Sequence, residues 1–165
     1  IDRIRELIAG RRVVAVIATH AHDDHVRLAP ELGELVDAPV FLHPADAPVW
    51  RLTHPDRDPD RFLDDRQSIE VGRAELVVLH TPGHSPGSVC LYCPDLGAVF
   101  TGDTLFAGGP GATGRSFSDF PTITRSIRER LLPLPERTRV HPGHGESTTI
   151  AEVAPHLDEW IARGH

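Results

Sequence analysis

Four short segments of this chain each close a run of apolar residues with histidine or aspartate, and together they limit what it can fold into. "THAHDDH" (residues 19–25) follows "VVAVIA", "HTPGHSPGS" (80–88) follows "ELVVL", "TGDTLF" (101–106) follows "AVF", and "HPGHG" (141–145) follows "TRV". Runs of Val, Ile and Leu of this length read as buried strands. An apolar core does not accept three histidines and two aspartates within seven residues, so these clusters belong at strand tips, outside the core. Tips held by strands are rigid, and four of them meeting at one edge of a sheet make a preorganised site.

The segments between the motifs supply helices and further strands. "IDRIRELIAG" places Ile1, Ile4, Leu7 and Ile8 on one helical stripe and stops at Gly10, as an amphipathic helix with a glycine cap does. The stretch 25–37 predicts a helix interrupted near Pro30, and 38–43 a short buried strand. Residues 53–67 are rich in proline and charge and read as a surface loop. Strands are predicted at 68–71, 75–80, 88–94 and 98–103, the last two joined by a tight "DLG" turn. The glycine-rich stretch 106–114 reads as a rim, 120–134 as a helix with Pro121 in its first turn, and 152–164 as a final helix. There is no internal repeat and no linker. The expectation is one α/β layered domain over residues 1–165.

Composition excludes several function classes. At 165 residues, 39% hydrophobic and 25% charged, the chain is long enough to bury roughly two thirds of its unfolded surface. Its formal charge is −7 with no run of basic residues, so a nucleic-acid backbone has nothing to grip. The absence of an apolar run of about 18 residues argues against a membrane span, and two cysteines fit the reducing cytoplasm. Eleven histidines, in contrast, exceed what a core or surface needs.

A lone histidine is ordinarily a core or surface residue. Five histidines and two aspartates at four strand ends are a different case: imidazole and carboxylate together suit a divalent metal such as zinc, iron or manganese. The candidates are His20, His22, Asp24, His25, His84, Asp103 and His144, a number that predicts two ions. Alternate residues of an extended turn point the same way, so His20 and His22 pair on one ion, completed by His84. Asp24 and His25 face a second, completed by His144, and Asp103 can bridge with one oxygen to each. His43, His54, His80, His141, His156 and His165 fall outside the set, with His80 and His141 placed to support ligands. Cys90 and Cys93 point to opposite faces of a strand, which argues against a redox pair.

These motifs closely resemble the T-H-x-H-x-D-H signature of the metallo-β-lactamase superfamily, whose further motifs "TPGHSPGS", "FTGDTLF" and "PGHG" follow here in order over nearly the whole chain. Within it, "GDTLF" and "PGHG" look like the glyoxalase II-like hydrolases, and "GGPGATGRSFSDFPTI" resembles a group of actinobacterial hydrolases. The resemblance implies an αββα sandwich with a dinuclear centre, zinc first and iron or manganese as alternatives, ligated by the seven residues above. It also implies a metal-bridged hydroxide attacking the carbonyl of a small-molecule thioester of a thiol such as mycothiol. On the residues themselves, Asp24, bound through one oxygen, is expected to orient the nucleophile with the other, and Arg115 and Ser116, in the loop after Asp103, are the candidates for contacting a polar or anionic thiol moiety. Arg125 is a weaker choice, and Trp50 and Phe106 are candidate apolar walls. Relatives carry strands ahead of the first helix, so an N-terminal segment is expected to precede this sequence. Without those strands the first sheet has open edges prone to association, a homodimer among the outcomes. The helical region that holds glutathione in full-length glyoxalase II is reduced here to the last helix, which weighs against glutathione.

The rival readings are a mononuclear iron persulfide dioxygenase, with His20, His84 and Asp103 as its ligands, and a lactonase sharing all seven. A β-lactamase fits less well, because Asp103 stands where those enzymes usually have no acid. A metal-dependent binding module without activity would be favoured only by lost ligands.

Overall fold

The computed structural model describes residues 1–164; His165 lies outside the described residues. Chain order begins with helix α1 (Asp2–Ile8), strand β1 (Val16–Ile17), helices α2 (Asp23–Val26) and α3 (Ala29–Val36), strand β2 (Val40–Leu42), helix α4 (Ala47–Thr53) and strand β3 (Arg61–Phe62). Strands β4 (Ser68–Val71), β5 (Ala74–His80), β6 (Val89–Cys93), β7 (Ala98–Gly102), β8 (Leu105–Phe106) and β9 (Gly109–Pro110) follow. Helix α5 (Phe120–Ser126) continues into a π-turn at Ile127–Leu131, and the chain closes with β10 (Arg139–Pro142), β11 (Thr148–Thr149), α6 (Ile150–Val153) and α7 (Leu157–Arg163).

These elements form two sheets face to face with helices outside both. The smaller sheet has the order β1-β2-β3 and the larger β11-β10-β7-β6-β5-β4, with β8 and β9 as a separate pair. Alternation along the strands explains the layering, because successive side chains of a strand face opposite ways. Val40 and Leu42 turn outward with Val26, Val49 and Trp50 of the neighbouring helices. Between them Phe41 turns inward to meet Leu63, Val78, Val89 and Leu91 between the sheets. On the far side Cys90, Val99 and Val140 pack under Ile123, Ile127, Leu157 and Trp160. The result is the αββα sandwich expected from the sequence.

Local chemistry sets the helix starts. The Asp119 side chain accepts from the Thr122 N–H at 2.8 Å at the head of α5, and Thr149 with Glu152 forms a reciprocal capping box at α6. His54 Nε2 lies 2.9 Å from the carbonyl oxygen of Val26 at the end of α2.

Several expectations need correction. The stretch 13–18 contributes only Val16 and Ile17 to a ladder, limited by its short partner β2. The helix expected at 25–37 divides into α2 and α3, since Pro30 sits in the first turn of α3, where its missing N–H is harmless. The loop 53–67 contains β3, and the glycine-rich rim contains β9 and the last residue of its partner β8. Helix α1 buries none of its residues; Ile4 and Leu7 are 40% and 55% exposed. Between its C-terminal end and β4 and β5 lies an apolar groove of about 380 Å³ lined by Ile8, Val13, Val14, Ile17, Ile69 and Leu76.

Candidate metal centre

The four motifs leave the core on different elements and converge. His20 and His22 stand on the extended segment after β1, Asp24 and His25 on α2, and His84 on the loop between β5 and β6. Asp103 directly follows β7, and His144 follows β10. All seven meet at one edge of the sandwich, although His22 and His84 are 62 residues apart in sequence.

Two groups of donors form there. His20, His22 and His84 present ring nitrogens within 4.8 Å of one another, as do the ligand atoms of Asp24, His25 and His144. In the first group His22 Nδ1 is 2.9 Å from His84 Nε2; in the second His25 Nε2 is 3.1 Å from His144 Nε2, and Asp24 Oδ2 is 3.2 Å from the same His144 atom. Asp103 reaches both groups. Its Oδ1 lies 3.4 Å from His25 Nε2, and its Oδ2 lies 3.8 Å from His84 Nε2 and 3.8 Å from His144 Nε2. His20, His25 and Asp103 also qualify as a third grouping, so His20 and Asp103 stand at the junction.

The chemistry of these donors fits divalent cations. Three buried side-chain polar atoms lack a hydrogen-bond partner among the described residues, and two of them, His20 Nε2 and Asp103 Oδ1, are here. A buried lone pair without a partner is costly, and a cation relieves both. The opposite nitrogens are accounted for. His84 Nδ1 lies 2.9 Å from the Ala112 carbonyl oxygen, which places its proton there and its lone pair on Nε2. His20 Nδ1 lies 3.3 Å from Thr19 Oγ1. Burial, followed by the neighbouring His25, His84 and His22, pushes the His20 pKa down to about 2. His22 and His25 are also lowered, chiefly by burial. Each of these three shifts favours the neutral imidazole, the form that coordinates a metal. Burial, the largest single influence, raises the Asp24 pKa, but His25, a backbone N–H and His144 together outweigh it and hold the carboxyl below its usual range.

The surrounding chain holds these loops closely. The loop carrying His84 is tied to α5 by Ser126 Oγ, which donates to the Pro82 carbonyl at 2.7 Å, and by the Asp119 N–H, which donates to the Gly83 carbonyl at 2.8 Å. The Val89 N–H donates to the Thr19 carbonyl at 2.8 Å and links the two sheets beside the site. A Cβ on Gly143 would collide with Asp103 Oδ1 and come within 2.7 Å of His25 Cε1. One on Gly111 would collide with the Asp103 carbonyl oxygen. Gly143 of "PGHG" and Gly111 of the rim are thus required by close approach to the donor residues.

The other expected residues divide. Arg115 and Ser116 line the same cleft of about 390 Å³ as His22, Asp24, His84 and Asp103. Arg125 is placed against Thr122, 3.3 Å away, and Trp50 is core, fully buried with its Nε1–H donating to the Arg57 carbonyl. His80 and His141 do not touch the donor histidines: His80 Nε2 lies 2.9 Å from the Pro86 carbonyl oxygen and His141 Nδ1 2.8 Å from Ser147 Oγ. Cys90 and Cys93 are both buried and free. One residue passed over in the sequence stands against the site. Asp46 is buried with its carboxylate between the first two motifs, and only a lone "PAD" after a strand marks it.

Comparisons with known proteins agree with this arrangement. The sequence model of the metallo-beta-lactamase superfamily matches residues 2–144. The probable metallo-hydrolase YqgX of Bacillus subtilis is 37% identical over 153 residues, 86% of this chain and 72% of that protein. Hydroxyacylglutathione hydrolase GloC of Haemophilus influenzae is 34% identical over 165 residues, 92% of this chain and 77% of that protein. The crystal structure of TTHA1623 in a di-iron-bound form superposes with a TM-score of 0.82 at 37% identity, covering 93% of this chain and 81% of that one. With its fold, its clustered donors and a family match over most of its length, the chain belongs to the metallo-beta-lactamase superfamily.

Proposed function

We propose that the chain is a dinuclear metal-dependent hydrolase of thioesters, of the glyoxalase II-like kind. The observation behind this reading is the donor set, two groups of three with Asp103 reaching His84 of one and His25 of the other. On this reading His20, His22 and His84 hold one cation, Asp24, His25 and His144 the other, and Asp103 both. A bound pair of divalent cations brings the pKa of water toward neutrality and polarises a carbonyl oxygen.

The chain's own residues supply orientation. Asp24 Oδ2 turns toward His144, leaving Oδ1 to accept a hydrogen bond from the attacking water. Arg115 and Ser116, which line the same cleft, bind a polar or anionic part of the thiol. Leaving-group chemistry narrows the substrate. The sequence contains no lysine, and the single tyrosine, Tyr92, lies within β6, paired with Val77 and Val99. A site without such a proton donor suits a thiolate, whose parent thiol has a pKa of about 8.5, better than an alkoxide or an amine. The likeness to GloC supports the same substrate class.

The test joins elemental analysis of the purified protein with turnover of a panel containing thioesters, an acyl-homoserine lactone, a β-lactam and, with oxygen uptake recorded, a persulfide. The expected result is close to two zinc, iron or manganese ions per chain with thioester cleavage and no oxygen uptake. One iron per chain with oxygen consumption overturns the proposal in favour of a dioxygenase, and turnover confined to the lactone overturns the thioester.

A further inference from the structure

We propose that Asp46 is a positioning residue that sets the distance between the His20–His22 segment and the His84 loop, and thereby the affinity of one cation site and not the other. The inference rests on the reading that His20, His22 and His84 hold a cation.

Asp46 is fully buried at the end of a short turn, Pro44–Asp46, and directly precedes α4. Aspartate in that position ordinarily caps the helix it precedes, yet this side chain makes no hydrogen bond to α4. Both of its oxygens turn to the site instead. Oδ2 accepts from the Ala21 N–H at 2.8 Å and from the Ser85 hydroxyl at 2.7 Å. Oδ1 accepts from the Gly87 N–H at 2.5 Å. Ala21 lies between His20 and His22, and Ser85 directly follows His84, so every imidazole of the first donor group is bonded to a residue that Asp46 holds or adjoins it in the chain. His144 and Asp24 have no such neighbour.

Two further details show the clamp is tight. A Cβ on Gly87 would lie 2.5 Å from the Asp46 nitrogen and 2.8 Å from its Cβ, so glycine is what lets the His84 loop reach the carboxylate. The Ser85 hydroxyl also meets Ser88 Oγ at 2.8 Å, and Ser88 Oγ accepts from the Ser85 N–H at 3.1 Å. The carboxylate is the only side-chain form of this size that accepts from all three donors at once. In Asp46→Asn one oxygen becomes an NH₂ group that faces an N–H or a hydroxyl, so at least one of the three bonds is lost and the clamp is loosened.

The experiment is a titration of metal-stripped protein with cobalt(II), followed by the visible ligand-field bands, in the wild type, Asp46→Asn and Ser85→Ala. Groups that orient metal ligands change affinity by about 10–100-fold when replaced. Asp46→Asn is therefore expected to weaken one of two cobalt-binding steps by about 10–100-fold, with a shift of that step's bands, and to leave the other step in place. Ser85→Ala, which removes one donor and no carboxylate, is expected to weaken the same step to a smaller extent and serves if Asp46→Asn does not fold. Equal weakening of both steps, or no change in either, overturns the proposal, because a merely structural role lowers the melting temperature of the metal-stripped protein without distinguishing the steps. A wild type that binds no cobalt overturns the metal reading itself, and this inference with it.

Discussion

His22 Nδ1 and His84 Nε2, from two loops on different sheets, face each other at 2.9 Å. Two ligands about 2.0–2.1 Å from a tetrahedral ion stand about 3.3 Å apart, so the pair needs only a few tenths of an ångström to admit one. The corresponding pair in the second group, His25 and His144, is at 3.1 Å. Both pairs thus lie within a few tenths of an ångström of the spacing that one bound ion requires.

Asp103→Ala removes the only carboxylate that, among the described residues, reaches both groups. Activity toward the preferred substrate is expected to fall by at least about a hundredfold, with metal content reduced on elemental analysis. A variant that keeps full activity and two ions would sink the dinuclear arrangement.

Gly143→Ala introduces one methyl group into space occupied by Asp103 Oδ1 and next to His25 Cε1. Gly143 is exposed beside the donors, so the strain falls on the donors more than on the core. The expected outcome is a loss of metal affinity of about tenfold or more with a small change in melting temperature. Unaltered affinity in a chelator competition would show that the donors yield freely, contrary to their close packing.

Arg115→Ala separates binding from chemistry. If Arg115 holds an anionic part of the thiol, KM for such a thioester is expected to rise by about 10–100-fold, the worth of a hydrogen bond to a charged group. The kcat should stay near the wild-type value, and a neutral thioester should show no difference. An equal loss for both substrates would assign Arg115 to the loop's structure.

His43 stacks on His80 at 4.0 Å, and its Nδ1 accepts from the Ala45 N–H at 3.3 Å. Burial and then His80 hold its pKa below the ordinary 6.5. The unfolded chain therefore takes up a proton here below about pH 6.5 that the folded one does not, and stability is lost as the pH falls through that value. His43→Gln lacks this contribution. Its melting temperature is expected to lie below the wild type at pH 7.5 and to close that gap by pH 5.5. A gap constant across this range would refute the assignment.

Legibility in the sequence followed the kind of bond involved. The seven donors could be read because each is a distinctive side chain at the end of an apolar run, and both signals survive without coordinates. Asp46 could not, because two of its three partners are backbone N–H groups, which every residue except proline possesses. The same reason explains the strands. Residues 13–18 have the apolar character of a strand throughout, but pairing depends on a neighbour, and β2 offers only three residues. Trp50 was equally ambiguous, since a large aromatic ring suits a cleft wall or a core, and its full burial decides for the core.

The Val89 N–H and the Thr19 carbonyl join the two sheets beside the donors, and this places the centre across a seam. His20, His22, Asp24 and His25 come from the half built on the small sheet, and His84, Asp103 and His144 from the half built on the large one. An ion taken up here would act as a suture as well as a reagent, because its binding free energy also holds the halves together. Removing such an ion would then weaken the seam as well as the site, since its binding free energy would be lost to both.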